Sequence, residues 1–148
     1  MTAVTIPGIL VVEDSDEDFD TVQMALKASG LRCAIRRAVN GNECLDLLRG
    51  NGRMLPRPVF VLLDLNLPGM DGRDALSLIK GDPDLRDLPV VVLTTSSNPR
   101  DMDFCYHAGV NAFHVKPLRH DEHLDLLRGV LGYWLGCAVL PSVHEATP

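Results

Sequence analysis

The sequence has few aromatic residues and lacks any long apolar run. Aromatic side chains make up 5% of the 148 residues, and only one of them is a tryptophan. The apolar stretches all fall short of the ~20 residues that a membrane-spanning helix needs, so we expect no membrane segment. The start of the chain, MTAVTIPGILVVEDSDED, lacks the basic residues of a secretory signal peptide. These absences favour a protein of the cytoplasm.

Cysteine and basic residues are also sparse, and neither type is clustered. The four cysteines, at positions 33, 44, 105 and 137, show no CxxC spacing, so we expect no structural zinc site or disulfide framework. The formal net charge is −6, and no group of lysine and arginine offers a basic patch, which argues against nucleic-acid binding. What the chain has in quantity is apolar side chains, 46% of the total, enough for the core of one domain.

Strand-like and helix-like segments alternate five times along the chain. Short apolar runs without polar alternation are typical of strands that are buried on both faces, as in a parallel sheet covered by helices. This alternation predicts an α/β fold with a doubly wound, five-stranded parallel sheet. The second strand carries three arginines and therefore suits an edge of that sheet. The predicted strands are Gly8–Val12, 31–39, 59–63, 89–93 and 110–115.

The run VFVLLDLNLPGMDG, residues 59–72, is the centre of the functional prediction. Its apolar residues end on Asp64, and Pro68, Gly69 and Gly72 then break the chain into a loop. In an open parallel sheet the ligand crevice lies beyond the carboxyl ends of the strands, so Asp64 should point into that crevice. An acid in this position is also a common loop cap, so Asp64 alone does not decide the function.

The other strand ends carry polar residues that should meet Asp64 in the same crevice. Glu13 and Asp14 follow the first strand, Thr94 the fourth and Lys116 the fifth. Three carboxylates in one crevice repel each other, so at neutral pH either one of them takes a proton or a cation neutralises them. Mg²⁺, which prefers carboxylate, water and phosphate oxygens, is the simplest such cation. A carboxylate beside Mg²⁺, a lysine and a hydroxyl is suited to aspartyl-phosphate chemistry.

Four motifs together carry a family resemblance. ED at 13–14, DLNLPGMDG at 64–72, LTT at 93–95 and VKP at 115–117 resemble, in order and spacing, a two-component response-regulator receiver domain. The resemblance covers residues 8 to about 133 and implies a flavodoxin-like fold with strand order 2-1-3-4-5. It also implies a protein that accepts a phosphoryl group from a sensor histidine kinase and signals by protein contact or phosphorelay. Such a protein is not an enzyme that turns over a separate substrate.

The resemblance assigns a role to each residue of the expected site. Asp64 is expected to be the phosphoacceptor, Thr94 and Phe113 the switch residues, and Lys116 the partner of the phosphoryl group. The segments TTSSNPRD and GYWLGCAVLP are most similar to the single-domain regulators that pair with bacterial phytochromes, so a bacteriophytochrome is the expected kinase. The expected Mg²⁺ ligands are Glu13, Asp14, Asp64 and the backbone carbonyl of Asn66.

Two other classes of protein remain open at this point. A phosphohydrolase of the haloacid-dehalogenase type would also use Asp64 as nucleophile, but it needs a second acid two residues later, where this chain has Asn66. A flavodoxin-like flavin carrier needs a phosphate-binding loop after the first strand, where the acidic run EDSDED would repel phosphate. His120 and His123 lie one helical turn apart, but without a further ligand nearby a solvated helix start is a simpler interpretation than a metal site.

The C-terminal part of the chain is expected to form a dimer contact. The predicted receiver domain spans residues 1–133, and residues 134–148 form an extension that begins with the apolar segment WLGCAVLPSV. The last helix carries two apolar stripes, and since one stripe is enough to cover a sheet, the other should meet a second helix or a second subunit. We predict a homodimer through this helix and the extension. The alternative is an extension that folds back over its own domain. The two stripes are Leu124, Leu127, Leu131 and Trp134, and Leu126, Val130, Tyr133 and Cys137.

Overall fold

Strands and helices alternate through the part of the chain that the computed structural model describes, residues 6–50 and 57–141. None of the helices within these ranges is long and apolar enough to cross a membrane. The strands are β1 (Gly8–Val12), β2 (Ala34–Ala38), β3 (Phe60–Leu63), β4 (Val90–Thr94) and β5 (Ala112–Val115). The helices are α1 (Asp16–Ser29), α2 (Gly41–Arg49), α3 (Gly72–Gly81), α4 (Pro99–Ala108) and α5 (His120–Gly132), and a π-helical turn (Tyr133–Cys137) continues α5.

The five strands form one parallel sheet with helices on both of its faces. Their order is β2-β1-β3-β4-β5, which confirms the order that the family resemblance implied. Successive residues of a strand point to opposite faces, so the apolar strands β1 and β3 contribute to two separate hydrophobic layers. One layer, with Ile9 and Phe60, is covered by α1 and α5. The other, with Leu10 and Leu63, is covered by α2, α3 and α4. This is the doubly wound α/β fold that the sequence predicted.

The two edge strands are shorter than predicted. The first residues predicted for each strand instead form hydrogen bonds with the end of the preceding helix. β2 begins later because the N–H of Leu31 donates to Ser29 Oγ in the turn that ends α1. β5 begins later because the N–H of Val110 bonds back to the Cys105 carbonyl at the end of α4. In both segments the apolar residues begin before the strand does. The sequence pattern therefore placed the start of each strand too early.

Within α5 both apolar stripes pack inside their own domain, whereas Tyr133 and Cys137 of the second stripe lie beyond the end of α5 and are exposed. Leu127 and Leu131 of the first stripe and Val130 of the second are buried in the layer that α1 and α5 cover. The ring centroids of Trp134 and Phe60 lie 6.1 Å apart, at the amino end of β3. The second stripe therefore does not by itself require a second subunit, and the start of the extension folds back over its own domain.

The chain beyond α5 nevertheless exposes large apolar side chains. Tyr133 is 55% exposed and Val139 is 99% exposed, and both lie beyond the end of α5. Residues 142–148, which the predicted dimer contact also includes, lie outside the described residues. An exposed apolar segment of this kind is compatible with the predicted dimer contact without requiring it.

Candidate functional site

Three carboxylates converge beyond the carboxyl ends of β1 and β3. These strands pair with Val12 opposite Leu63, so Glu13 and Asp64, the residues that follow, are neighbours. One oxygen from each of Glu13, Asp14 and Asp64 lies within 4.8 Å of the others. Glu13 and Asp64 are buried whereas Asp14 is exposed, so the cluster opens to solvent on one side. The structure thus brings together the three acids that were expected to meet.

Lys116 places an ammonium group among these acids. Its Nζ donates to Glu13 Oε1 at 2.6 Å, to Asp18 Oδ2 at 2.7 Å and to Asp64 Oδ2 at 3.0 Å. A lysine has three N–H donors, so all of them are in use. Burial alone would lower the pKa of Lys116, but the hydrogen bonds to Asp18 and Glu13 and the charge of Asp64 hold it above its ordinary value. The lysine therefore stays charged at this site.

Glu13 titrates near neutral pH, and its loop is held by the edge strand. Burial raises the pKa of Glu13 to about 7, although the bond and charge of Lys116 act in the opposite direction. Arg37, on β2, donates from Nε to the Glu13 carbonyl at 2.9 Å and from Nη1 to Asp16 at 2.7 Å. The Arg37 guanidinium also lies 4.8 Å from the centre of the Phe19 ring. One side chain of β2 therefore fixes the acidic loop that follows β1.

The loop after β3 closes tightly against Asp64. The N–H of Asn66 donates to Asp64 Oδ1 at 3.3 Å, and Asn66 is otherwise exposed. The N–H of Gly72 donates to the Leu65 carbonyl at 2.9 Å. A Cβ atom on Gly72 would overlap the carbonyl oxygen of Asp64 and lie 2.7 Å from the Cα of Leu65. Only glycine fits where α3 begins, because backbone atoms fill the space that a side chain would need.

Thr94 and Phe113, the expected switch residues, lie on neighbouring strands. Thr94 ends β4 and is fully buried, and its carbonyl accepts the N–H of Lys116 at 2.7 Å. Within the described part of the chain its hydroxyl accepts the N–H of Ser96 at 3.4 Å and does not bond to Asp64. Phe113 is half-buried and packs against the hydrophobic layer under α2, α3 and α4. Thr94 is therefore joined to Lys116 through the backbone.

A hydrogen-bond network that no sequence pattern indicated ties α3 to α4. Arg73, in the first turn of α3, donates to both carboxylate oxygens of Asp101, in the first turn of α4, at 2.7 and 2.8 Å. Arg73 also bonds to Asp71 at 3.0 Å, and the Ser96 hydroxyl donates to Asp101. The Arg73 guanidinium, helped by Ser96, lowers the pKa of Asp101 to about 2. The network thus joins the beginnings of the two helices that follow β3 and β4.

Two further residues beside the acids also went unpredicted. Asp18, in the first turn of α1, is the third partner of Lys116. His123 is only 6% exposed, so the interpretation of His120 and His123 as a solvated helix start is correct for His120 and wrong for His123. A signal for His123 does exist in the sequence, because it lies four residues before Leu127 and so falls on the buried stripe of α5.

The acidic cluster fits a divalent cation. All of its possible metal ligands are carboxylate oxygens, the ligand type that Mg²⁺ and Mn²⁺ prefer. Asp14 is exposed, so an ion can enter from solvent. Three acids pair with the Lys116 ammonium group and Asp14 adds a fourth carboxylate, so this edge of the sheet keeps an excess of negative charge. The cluster consists of Glu13, Asp14 and Asp64, with Asp18 beside it.

This fold and this site define a receiver domain, and comparison with known proteins agrees. The sequence profile of the response regulator receiver domain matches residues 9–128, and the chain belongs to that family. Response regulator Rcp1 of Synechocystis sp. is 39% identical over 136 residues, which cover 90% of this chain and 92% of Rcp1. The chain is thus related to Rcp1 over nearly the whole length of both.

Solved structures give the same result. The phosphorylated cyanobacterial phytochrome response regulator RcpA matches with a TM-score of 0.88 and 37% identity, over 93% of this chain and 100% of RcpA. The Mn²⁺-bound form of Rcp1 matches with a TM-score of 0.86 and 37% identity, over 92% of this chain and 99% of Rcp1. These relatives confirm the receiver resemblance and its phytochrome-type branch. Neither the dehalogenase-type nor the flavin-carrier alternative finds support.

Proposed function

We propose that this protein accepts a phosphoryl group on Asp64 from the phosphohistidine of a sensor histidine kinase. The observation that carries the proposal is the position of Asp64, which is buried at the end of β3 with its Oδ2 atom 3.0 Å from Lys116 Nζ. A carboxylate held beside a permanent cation is arranged for attack on phosphorus. An oxygen of Asp64 bonds to phosphorus as the P–N bond breaks, and the electron pair of that bond stays on the imidazole nitrogen.

The neighbouring residues then have distinct tasks in this proposal. Lys116 turns part of its hydrogen bonding from the carboxylates to the new phosphoryl oxygens and balances their charge. The Thr94 hydroxyl, now bonded by Ser96, moves to a phosphoryl oxygen, and Phe113 on the adjacent strand follows this movement. The chemistry is a single transfer, and slow hydrolysis returns the protein to its starting state. We therefore assign it no turnover of a separate substrate.

Mg²⁺ is the cation that we propose for the acidic cluster. Glu13, Asp14 and Asp64 would hold it with the backbone carbonyl of Asn66. When bound, it would neutralise the carboxylates and the charge that develops on the phosphoryl group. The relative Rcp1 has been solved with Mn²⁺, an ion of similar ligand preference, which supports a divalent cation of this kind.

A phytochrome-type kinase is the partner that we propose. The supporting relatives include RcpA, a cyanobacterial phytochrome response regulator, and AtBRR, a bacteriophytochrome response regulator that is 37% identical and matches with a TM-score of 0.69 over 86% of this chain. A kinase of this type would meet the protein in the cytoplasm. The exposed acids and the opening of the cluster lie at one edge of the sheet, so the kinase would approach that edge.

We also propose that the protein is a homodimer through α5 and the extension. Tyr133 and Val139 expose apolar surface directly beyond the buried part of α5, and a two-fold contact would bury this surface on both copies. Light scattering should report a dimer at tens of micromolar for the full chain. It should report a monomer after deletion of residues 134–148.

Two single substitutions test the dimer contact without removing the residues that stabilise the fold. Tyr133→Glu and Val139→Asp place charge on the exposed surface but leave Trp134 against Phe60. These variants should be monomeric, and the loss of the Tyr133 ring, which lies 5.2 Å from the Trp134 ring, should reduce the free energy of unfolding by less than about 1 kcal/mol. A full chain that is monomeric would contradict the dimer, and variants that remain dimeric would contradict the proposed contact surface.

The experiment that tests phosphorylation uses Mg²⁺ and acetyl phosphate. After digestion, mass spectrometry should find the mass of one phosphoryl group on the peptide that contains Asp64, stable in acid and lost in base. The Asp64→Asn variant is the matched control, because it keeps the shape of the side chain and removes the nucleophile. Equal phosphorylation of this variant would show that Asp64 is not the acceptor.

A further inference from the structure

A small cavity lies behind the acidic cluster, between the sheet and the helices α1 and α5. Its volume of about 10 Å³ is enough for one water molecule. Its polar lining consists of Glu13, Asp18, Asp64 and His123, and the rest of its wall is apolar. A water needs two or more polar partners to stay in such a place, and this lining offers them.

The imidazole of His123 is unusual within the described residues. The residue is only 6% exposed, and its Nε2 atom has no hydrogen-bond partner among the described residues. Buried polar atoms are rarely left in this state, and an internal water is the common explanation. Burial lowers the pKa of His123, so the imidazole is neutral at pH 7 and carries one N–H. The orphaned atom and the water-sized cavity therefore belong together.

Phosphorylation would change the surroundings of Asp18. All three N–H donors of Lys116 are in use, so a phosphoryl oxygen can be bound only if one carboxylate gives up its bond. Glu13 and Asp64 would keep a cation when a divalent ion binds. Asp18 lies outside that set of ligands, so if Lys116 released Asp18, no divalent ion would take over the balance of its charge.

We propose that His123 is a positioning residue, which holds Asp18 through one internal water when Lys116 turns to the phosphoryl group. This inference rests on the proposed function, because Lys116 moves only if Asp64 is phosphorylated. The N–H of the neutral imidazole donates to the water, and the water donates to the Asp18 carboxylate. His123 thereby favours the phosphorylated state while having no contact with the phosphoryl group. An apolar side chain at this position would remove the donor on the cavity side of Asp18, whose side chain is otherwise 31% exposed to solvent.

The test compares His123→Leu with His123→Gln and measures two affinities. Beryllofluoride, which mimics the phosphoryl group, should bind about fivefold more weakly to His123→Leu, the effect of one lost water-mediated bond. The affinity for Mg²⁺ should stay within about twofold of the parent, since Asp18 is not a ligand. His123→Gln keeps a polar atom in the cavity and should restore beryllofluoride binding. A purely structural role would not separate the two affinities in this way.

The Asp18→Asn background makes the test specific. In the Asp18→Asn background, the substitution His123→Leu should leave the beryllofluoride affinity unchanged. The carboxylate charge that the bridging water stabilises is then absent. An equal loss with and without Asp18, or no loss in His123→Leu, would overturn the inference. A parent protein that binds no beryllofluoride would overturn the proposed function, and the inference with it.

A second measurement needs no substitution of His123. The ¹⁵N chemical shift of its Nε2 should change when beryllofluoride is added to the parent. The same addition to Asp18→Asn should leave the shift in place. An unchanged shift in the parent, where beryllofluoride binds, would also overturn the inference.

Discussion

Lys116 and Glu13 are 103 positions apart in the chain, yet Lys116 Nζ lies 2.6 Å from Glu13 Oε1 in a site that is almost closed to solvent. The ion pair with Lys116 does not bring the pKa of Glu13 down to its ordinary value. Burial outweighs the lysine, and the pKa of Glu13 is raised to about 7. A group of this kind links the stability of the domain to pH.

The first prediction concerns that linkage in metal-free protein. Because the pKa of Glu13 rises from 4.5 to about 7 on folding, the folded state binds more protons than the unfolded state between these values. The free energy of unfolding should therefore fall as pH rises through this window, by about 1–3 kcal/mol. The buried His123 has a lowered pKa and acts in the opposite direction. The difference between the parent and Glu13→Gln isolates the Glu13 effect.

Urea unfolding at pH 5, 6, 7 and 8 measures this difference. The stability of the parent relative to Glu13→Gln should decrease from pH 5 to pH 7 and level off towards pH 8. Two curves that run parallel over the whole range would show that Glu13 does not titrate in this window.

The second prediction concerns Gly72, where α3 starts against the backbone of Asp64. Gly72→Ala should reduce the free energy of unfolding by about 3 kcal/mol or more, because a new Cβ meets backbone atoms that cannot move aside. The control is Gly81→Ala at the other end of the same helix, where a Cβ meets nothing within 4 Å. Gly81→Ala should be neutral or stabilising by up to about 1 kcal/mol. Equal effects of the two substitutions in urea unfolding would contradict the prediction.

The third prediction concerns the two parallel hydrogen bonds between Arg73 and Asp101. Arg73→Lys keeps the charge but loses the paired geometry, so it should reduce the free energy of unfolding by about 1–2 kcal/mol. Amide hydrogen exchange should also become faster at Ser96, which the same network holds. Arg119→Lys is the control, since Arg119 and its partner Asp121 are both largely exposed, and it should cost less than about 0.5 kcal/mol. An Arg73→Lys variant that is as stable as Arg119→Lys would show that the paired hydrogen bonds between Arg73 and Asp101 do not stabilise the domain.

The fourth prediction concerns Trp134, the single tryptophan of the chain. Trp134→Ala removes the ring that packs on Phe60 and should reduce the free energy of unfolding by about 1–3 kcal/mol. Phosphorylation of Asp64 should be unaffected, because Phe60 lies at the opposite end of β3 from Asp64. Tyr133→Ala, at an exposed neighbouring position, should cost less than about 1 kcal/mol. Loss of phosphorylation in a folded Trp134→Ala variant would contradict this separation.

The sequence predicted the central part of the fold well, for a simple physical reason. β1, β3 and β4 are buried on both faces, so their residues are apolar without interruption and the strands stand out. The rule that strand ends converge then brought Glu13, Asp64 and Lys116 to one place. The order of the strands needed the family resemblance, because five similar apolar runs do not reveal which of them are neighbours.

The parts that sequence reasoning missed depend on contacts between distant segments. Lys116 and Asp18 are 98 positions apart, and no motif marks Asp18 as a partner. The pairing of Arg73 with Asp101 likewise appears only when the first turns of α3 and α4 are placed side by side. His123 was given a solvated position because the sequence around it is polar, whereas the packing of α5 on the sheet buries it.

The sheet has a chemical polarity from one edge to the other. The acids and Lys116 lie at the carboxyl edge, whereas Trp134 anchors the extension at the amino edge, beside Phe60. A fluorophore attached at the π-helical turn that contains Trp134 would therefore start at the edge of the sheet opposite the acidic cluster. If Asp64 is the phosphoacceptor that we propose, a sensor built on this domain can carry its reporter at the edge opposite the reaction that it reports.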